Sequence, residues 1–293
     1  MSGGASPGPA PLPGLAGVGR PLLAIDGDSL AHRAFHGLPS TIRRSGGRPG
    51  NALEGVALMA QRAWRAEKPR AVLVAWDTLD APTYRNALLP GYQSGRDFDP
   101  EIVEQLELLP ELCMALGFHV AKVAGYEADD FLAAAATAEE AAAGRCLVLT
   151  SDRDAYQLAS PSTTILSPVR GTSELARLGP AEVEERYGVR PDQVPDFVAL
   201  RGDPSDRIPG ARGIGEKKGA ALLRAHGTLE GVFEAGLLAD QREDVLRYRQ
   251  IATMQRDAPL PARPLGDAEP TWELAAELAA SWGLDGLARR LLA

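Results

Sequence analysis

The chain has 293 residues, a formal net charge of −8 and 45% hydrophobic residues, which is enough material for one large or two small soluble domains. No apolar run approaches the ~20 residues of a membrane-spanning helix, so we expect no membrane association of that kind. The acidic charge at first argues against a nucleic-acid partner. It does not exclude one, because nine carboxylates fall in five short motifs, and removing them leaves a net charge of +1.

The N-terminus and the cysteines indicate the setting of the protein. Residues 1–20 are rich in Gly, Pro, Ala and Ser and lack the apolar core of a signal peptide, which predicts a disordered tail. Cys113 and Cys146 fall in apolar contexts without metal-ligand spacing. They are predicted to be buried thiols in a reducing compartment, which favours the cytoplasm.

Three short apolar runs each lead into aspartates. They are residues 22–25 before Asp26, residues 71–76 before Asp77, and residues 146–149 before Asp152 and Asp154. Helical stretches at 51–67 and 101–116 lie between them, and this alternation predicts an α/β fold with a parallel sheet flanked by helices. One aspartate after a strand is ordinary turn chemistry. Several aspartates that each follow a parallel strand would meet at one edge of the sheet, where such folds bind ligands.

Residues 125–130 read Gly-Tyr-Glu-Ala-Asp-Asp and join an alternating apolar segment to an alanine-rich run at 131–143. The pattern predicts a strand, a turn and a helix. Acidic residues in a first helical turn are common, because they complement the helix dipole. However, Glu127, Asp129 and Asp130 crowded together repel one another, so a positive partner is expected, and a divalent metal is the economical candidate.

Two further segments carry groups that suit nucleic acid. Residues 84–96 are polar and contain two tyrosines and two arginines, which can stack on bases and bind phosphate. A solvated connection is the alternative for this segment alone. Residues 202–219 contain Asp203 and Asp206, followed by a glycine turn that opens a helix. Backbone N–H groups at such a turn can hold a phosphate without reading sequence.

The combined motifs resemble the 5′-nuclease (5′-3′ exonuclease) domain of bacterial DNA polymerase I and its stand-alone relatives, in the flap endonuclease superfamily. The matching motifs, in family order, are Ile25-Asp26-Gly27, Ala75-Trp76-Asp77, residues 125–130, residues 150–154, residues 202–206 and residues 213–217. The resemblance runs from about residue 21 to the C-terminus. It implies a PIN-like core at 21–192, with an arch at about 80–100, and a helix–three-turn–helix DNA-binding module with a closing segment at 193–293.

The function implied by the resemblance is a structure-selective 5′-3′ exonuclease or flap endonuclease that hydrolyses DNA phosphodiester bonds in replication and repair. Its substrate would be DNA with a 5′ flap, a nick or a free 5′ end, and the enzyme would act as a monomer. Two-metal-ion catalysis would use two Mg²⁺ or Mn²⁺ ions, because the ions can activate water and stabilise the leaving oxygen. A potassium ion could also bind at the glycine turn.

The resemblance also implies roles for individual residues. One ion would be held by Asp26, Asp77, Glu127, Asp129 and Asp130, and the second would be supported by Asp152, Asp154, Asp203 and Asp206. The arch residues Arg85 and Arg96 would lie near the scissile phosphate. The DNA-binding residues would be Tyr84, Arg85, Tyr92, Arg96, Gly213, Gly215, Lys217 and Lys218.

The chain departs from the family pattern at three positions, and two other functions stay open. Gln93 stands where the family usually has lysine, Arg207 where asparagine is common, and Arg153 where lysine is frequent. The alternatives are a PIN-type ribonuclease and a catalytically weak relative that binds branched DNA. Such ribonucleases are usually shorter and lack the glycine-turn module, and a silent relative would be expected to have lost some of the acids. The balance of exonuclease and flap cleavage is left open.

Overall fold

The computed structural model describes residues 19–78, 81–94, 98–170, 174–263 and 265–293. Within these ranges the strands are β1 (Leu22–Asp26), β2 (Ala71–Ala75), β3 (His119–Ala121), β4 (Cys146–Leu149), β5 (Thr163–Arg170) and β6 (Glu174–Leu178). The first six helices are α1 (Gly27–Gly37), α2 (Asn51–Glu67), α3 (Tyr84–Leu88), α4 (Pro100–Ala115), α5 (Ala128–Ala141) and α6 (Pro180–Tyr187). They are followed by α7 (Val194–Arg201), α8 (Glu216–His226), α9 (Leu229–Glu234), α10 (Arg242–Ala252), α11 (Trp272–Ser281) and α12 (Asp285–Leu292).

The six strands form one sheet in the order β3-β2-β1-β4-β5-β6. The first five strands in this order are parallel, as the alternation of strands and helices predicts. The pair β5 and β6 is antiparallel, which the sequence analysis did not predict. Only three residues separate these two strands, and a parallel pair needs a crossover of a dozen or more.

Both faces of the sheet are covered, and successive strand residues alternate between two apolar cores. Leu23, Ile25, Val72 and Val74 share one core with residues of α1, α2, α4, α11 and α12. Leu22, Ala24 and Leu73 share the other core with residues of α5 and α7–α10. A sheet covered on both faces needs apolar residues at every strand position, which explains the unbroken apolar runs.

The predicted C-terminal segment, 193–293, divides between the two faces. Helices α7 to α10 contribute to the same core as α5, and the loop at 202–215 joins α7 to α8. The chain then returns to the opposite face, where α11 and α12 join the core of α2 and α4. Among the described residues, no helix is long and apolar enough to cross a bilayer. Cys113 and Cys146 are free and buried, as predicted.

Candidate active site

The strand ends bring the first aspartates together at one edge of the sheet. Asp26 ends β1 and caps α1: its Oδ1 accepts a hydrogen bond from the Ser29 backbone N–H at 2.9 Å, and its Oδ2 accepts one from the Thr150 hydroxyl at 2.7 Å. Asp77 follows β2, and its Oδ1 accepts from the backbone N–H of Ala128 at 2.7 Å. These bonds link the end of β1 to the residue that follows β4, and the end of β2 to the start of α5.

Gly27 and Trp76 explain why two of the motifs occur together. A Cβ atom at position 27 would lie 2.6 Å from the Trp76 ring, and Trp76 is fully buried. Glycine therefore lets the indole pack directly against the backbone beside Asp26. This contact fixes the spacing of the strand ends that carry Asp26 and Asp77.

A second group of aspartates lies beside the first. The Asp154 backbone N–H donates to Asp152 Oδ1 at 2.8 Å, after β4. Asp203 and Asp206 lie in the loop after α7, where Asp203 exchanges two backbone hydrogen bonds with Ile208. The Arg201 guanidinium lies 3.2 Å from Asp203 Oδ2. Thus the loop that leads into the glycine turn also supplies part of the acidic cluster.

The carboxylates face a common cleft with a volume of about 330 Å³. The acidic residues that line it are Asp26, Asp28, Asp77, Glu127, Asp129, Asp152 and Asp206. Tyr92, Gln93 and Phe98, from the segment expected to form the arch, line the same cleft. The sheet edge, the loop after α7 and the arch segment therefore meet at one place.

Burial and mutual repulsion raise the pKa values of these acids. Burial raises the pKa of Asp26 to about 7 and that of Glu127 to about 7, and the charge of Asp77 adds to both shifts. The pKa of Asp129 lies well above its usual value because of burial and then the charges of Asp152 and Asp26. The pKa of Asp154 is also raised well above its usual value, by burial and then by Asp152, Asp206 and Asp203. The acidic cluster is therefore one connected electrostatic unit.

The acidic cluster has the donor chemistry of a divalent-cation site. In the part of the chain that the structure describes, no three acidic, histidine or cysteine side chains are arranged to hold an ion as they stand. Several of their oxygens instead accept backbone and hydroxyl hydrogen bonds. Asp129 Oδ1, however, is buried without a hydrogen-bond partner. A buried carboxylate oxygen without a partner, among repelling carboxylates, fits Mg²⁺ or Mn²⁺.

Asp28 belongs to the cluster, and the sequence analysis did not select it. Its Oδ2 accepts a hydrogen bond from the Asp77 backbone N–H at 2.7 Å. Its pKa lies well above the usual value, because of burial and then the charge of Asp77. The signal was its position two residues after Asp26. That signal was weak, because an acid in the first turn of a helix such as α1 has an ordinary explanation.

Arg85 and Asp130 lie elsewhere than the resemblance implied. Arg85 Nη1 and Nη2 donate to the two carboxylate oxygens of Asp130, each at 2.8 Å, and the two residues are 3% and 0% exposed. The resemblance placed Arg85 near a phosphate and Asp130 on a metal. In this structure they are paired with each other in the interior, because α3 packs over the start of α5.

One tyrosine of the arch segment, Tyr92, differs from the expectation that these tyrosines stack on bases. Tyr92 is 5% exposed, and its hydroxyl donates to Glu127 Oε2 at 2.9 Å. The Tyr84 hydroxyl donates to the Thr253 carbonyl at 3.0 Å. Gln93 Nε2 donates to Asp206 Oδ1 at 3.0 Å, which ties the arch segment to the second group of acids. Arg96 lies outside the described residues.

The glycine turn lies where the sequence predicts it. Gly213 and Gly215 are exposed, and α8 begins at Glu216 directly after them. Lys217 and Lys218 are exposed in the first turn of this helix, and Lys218 Nζ donates to the Gly213 carbonyl at 3.1 Å. The turn therefore presents backbone N–H groups and two ammonium groups to solvent.

Comparison with known proteins identifies the family. Residues 21–188 match the 5′-3′ exonuclease, N-terminal resolvase-like domain, and residues 189–269 match the 5′-3′ exonuclease, C-terminal SAM fold. The chain belongs to the 5′-3′ exonuclease family. The fold class predicted from the sequence, a PIN-like α/β core followed by a helical module, is confirmed.

Relatives of the chain include bacterial DNA polymerases I. The chain is 39% identical over 254 residues to DNA polymerase I of Mycobacterium tuberculosis, covering 83% of this chain and 28% of the polymerase. It is 38% identical over 265 residues to the thermostable DNA polymerase I of Thermus aquaticus, covering 90% and 29%. The chain thus spans less than a third of these relatives.

A solved structure with the same fold is the flap endonuclease of bacteriophage T5 in a complex with DNA and metal ions. The TM-score is 0.66 at 18% sequence identity, and the match covers 93% of this chain and 98% of that one. At this level of identity the likeness supports the fold.

Proposed function

We propose that this chain is a metal-dependent nuclease that cuts DNA at 5′ ends and at 5′ flaps by two-metal-ion catalysis. The observation that carries the proposal is the acidic cluster: seven carboxylates line one cleft, and Asp129 Oδ1 is buried there without a hydrogen-bond partner. The match to the 5′-3′ exonuclease family gives the reaction class. We further propose that the enzyme acts in replication and repair, as a monomer in the cytoplasm.

The seven acids of the cleft, together with the neighbouring Asp154 and Asp203, would hold the divalent ions. Bound ions would neutralise charge on the scissile phosphodiester and lower the pKa of an attacking water. The ligands would be Asp26, Asp28, Asp77, Glu127 and Asp129 for one ion, and Asp152, Asp154, Asp203 and Asp206 for the second. Magnesium retains several waters, so not every carboxylate needs to touch an ion directly.

Other residues of the chain would bind and orient the DNA. The exposed N–H groups at Gly213 and Gly215, with Lys217 and Lys218, would bind the phosphate backbone of a duplex without reading its sequence. The loop from Gly202 to Gly215 connects this contact to Asp203 and Asp206, so a held duplex would lie close to the cleft. A potassium ion at the turn would compete with the Lys218 ammonium for the Gly213 carbonyl.

The arch segment would close the opposite side of the cleft. Tyr92 and Gln93 line it and bond to Glu127 and Asp206, respectively. They would orient these carboxylates and limit the access of water. Arg96, in the same segment, would contact the scissile phosphate, because arginine offers forked donors to phosphate oxygens.

The test uses the purified protein with three labelled substrates: a 5′-flap DNA, a nicked duplex and an RNA hairpin of matched sequence. We expect cleavage of both DNAs with Mg²⁺ or Mn²⁺ and none in EDTA. Asp152→Asn should abolish most of this cleavage, whereas Asp257→Asn, a change of an exposed aspartate outside the cluster, should not. Cleavage in EDTA would contradict the metal-dependent assignment, and preference for the RNA would favour the ribonuclease alternative. Metal-independent binding of the flap without cleavage would favour a branched-DNA-binding relative.

A further inference from the structure

Asp130 has no oxygen lone pair left for a metal. Its Oδ1 accepts from Arg85 Nη2 and from the Gln255 backbone N–H, both at 2.8 Å. Its Oδ2 accepts from Arg85 Nη1 at 2.8 Å and from the Glu127 backbone N–H at 3.1 Å. A carboxylate has about four acceptor positions, so these four donors occupy all of them. In contrast, Asp129, its neighbour in the chain, keeps a buried oxygen without a partner.

The ion pair of Arg85 and Asp130 anchors residues 251–255, which lead out of α10. We call this segment the strap. Arg85 Nε donates to the Ile251 carbonyl at 3.0 Å, while its two Nη atoms donate to Asp130. The Gln255 backbone N–H donates to the same carboxylate. The Tyr84 hydroxyl donates to the Thr253 carbonyl between them. The strap is therefore fixed at both ends and at its centre to α3 and to the start of α5.

A second buried side chain ties the strap to the other group of acids. Gln157 is 7% exposed and lies on the single helical turn that begins at Asp154. Its Nε2 donates to the Ala252 carbonyl at 2.9 Å and to the Asp154 carbonyl at 3.0 Å. Its Oε1 accepts from the Met254 backbone N–H at 3.1 Å. Both groups of carboxylates are thus attached to the strap.

The strap belongs to the part of the chain that carries the glycine turn. Helices α10, α7 and α8 share one apolar core, which contains Val245 and Ile251 of α10 and Phe197 and Leu200 of α7. A Cβ atom at position 219 would lie 3.5 Å from the side chains of Leu200 and Phe197, so α8 lies directly on α7. A continuous series of packed helices and hydrogen bonds therefore runs from the glycine turn through α7 and α10 to the strap, and from the strap to the acidic cluster.

We propose that Arg85, Asp130 and Gln157 form a joint that sets the distance between the duplex-binding turn and the acidic cluster, and that Asp130 is a positioning residue and not a metal ligand. The inference rests on the proposed function in one respect: the joint decides which phosphodiester of a held duplex reaches the cleft. A buried ion pair that satisfies every donor and acceptor suits this role, because loosening it costs several hydrogen bonds at once.

The first experiment separates positioning from metal binding and needs no cleavage. Calorimetric titration with Mn²⁺ in the absence of DNA compares Asp130→Asn with Asp129→Asn, two variants one residue apart that each remove one charge. We expect Asp130→Asn to change the Mn²⁺ dissociation constant less than about threefold, and Asp129→Asn to weaken Mn²⁺ binding by about tenfold or more, because the affinity of a carboxylate site for a divalent ion depends on the number and charge of its ligands. Equal losses of Mn²⁺ affinity in the two variants would overturn the assignment of Asp130.

The second experiment measures where the DNA is cut. Arg85→Lys keeps the positive charge beside Asp130 but loses the two parallel hydrogen bonds of the guanidinium group. Gln157→Met keeps the side-chain volume but loses the hydrogen bonds to the strap. On a 5′-flap DNA with single-nucleotide resolution, each variant should raise the share of product cut one nucleotide away from the main site several-fold, and the double variant more. The salt dependence of DNA binding should stay unchanged, because neither side chain would bind a phosphate.

A merely structural role gives a different result. It would lower the unfolding temperature of both variants, while the distribution of cut sites stayed as in the wild type, and that outcome would overturn the joint. If Asp130→Asn does not fold, Gln157→Met still tests the joint from the other group of acids. If the wild type cuts no DNA, the proposed function fails, and the Mn²⁺ titration still decides the role of Asp130.

Discussion

Glu127, Asp129 and Asp130 are close neighbours in the chain, yet their carboxylates meet three different surroundings. Glu127 accepts hydrogen bonds from the Thr83 and Tyr92 hydroxyls. Asp129 keeps a buried oxygen without a partner, and Asp130 binds Arg85 through both oxygens. The helix periodicity of α5 separates the directions of the side chains, so that adjacent acids face different neighbours. Acidic residues of one short motif therefore have different surroundings and different roles.

At the residue scale, the departure at Gln93 leads to the first prediction. The Gln93 amide donates to Asp206 Oδ1 at 3.0 Å, and a lysine would bring a full positive charge to the same edge of the cleft. Hydrogen bonds between two charged groups are roughly twice as strong as neutral ones. Gln93→Lys should raise the single-turnover rate of flap cleavage several-fold, with tenfold corresponding to ~1.4 kcal/mol. Gln93→Met, which has no donor, is the control and should lower the rate.

Arg207 offers a competing explanation of the same departure. Its Nη1 donates to the Ser94 hydroxyl at 2.9 Å, next to Gln93, so it could already supply the missing charge. If Gln93→Lys leaves the wild-type rate unchanged but rescues Arg207→Asn, compensation by Arg207 is correct, and the first prediction is wrong.

At the scale of elements, the loop between α7 and α8 depends on two glycines that touch. Gly202 and Gly210 have φ values of 78° and 75°, and a Cβ atom at position 210 would lie 2.4 Å from the backbone nitrogen of Gly202. Residues other than glycine rarely adopt this backbone conformation, and here there is also no space for a side chain at position 210. The same loop carries Asp203 and Asp206, so its shape matters both for the cleft and for the glycine turn.

The second prediction follows from this contact. Gly210→Ala should lower the free energy of unfolding by about 1–3 kcal/mol or more, because it adds backbone strain and an overlap. The measurement is urea denaturation followed by circular dichroism. Gly215→Ala is the matched control, since position 215 has open space and an ordinary φ. Equal losses of stability in the two variants would contradict this account.

The third prediction concerns the start of α8. Lys217 is exposed in its first turn. Lys217→Ala should weaken binding to duplexes of any sequence by a similar factor, and reduce the slope of log K against log salt by about 0.9, the value for one phosphate contact. The measurement is fluorescence anisotropy at several salt concentrations. Turnover at saturating DNA should change far less than in Asp152→Asn. A loss that depends on the sequence of the duplex would show that this turn reads bases.

At the scale of the whole molecule, the two cores and the acidic edge place different demands on stability. The cores cover both faces of the sheet and stabilise the fold. The carboxylates at the edge oppose folding when they are charged and without a cation, because burial and mutual repulsion raise their pKa values. A site that is complete only with its ligand commonly costs stability in the free protein.

The fourth prediction is a pH dependence of the unfolding temperature in EDTA. The pKa values of Asp26 and Glu127 are about 7 in the folded protein, against ordinary values of 3.8 and 4.5. The folded state therefore holds more protons than the unfolded chain between these values, so stability falls as the pH rises through this window. The unfolding temperature should decrease from about pH 5 to about pH 7.5. Mg²⁺ should raise it most at the upper end, since bound ions stabilise the charged carboxylates. An unfolding temperature in EDTA that rises over this range would contradict the account.

The sequence by itself determined the alternation of the first four strands with helices and the edge where the acids meet. Apolar runs that end in aspartate predict buried parallel strands, and the carboxyl ends of such strands share one edge. Thus Asp26, Asp77, Glu127, Asp129 and Asp152 could all be placed near the cleft from spacing alone. The glycine turn was also predictable, because Gly213 and Gly215 precede residues 220–224, whose alanines and leucines favour a helix.

Only the tertiary structure decided which acids are paired and which are open. Arg85 reaches Asp130 across 45 positions of sequence, and Gln255 reaches it across 125. Such partners depend on how α3, α5 and the strap pack, which no local pattern encodes. For the same reason Tyr92 is buried against Glu127 and Asp28 joins the cluster. Local sequence spacing determines the position of a residue on its strand or helix, and long-range packing determines which groups its side chain contacts.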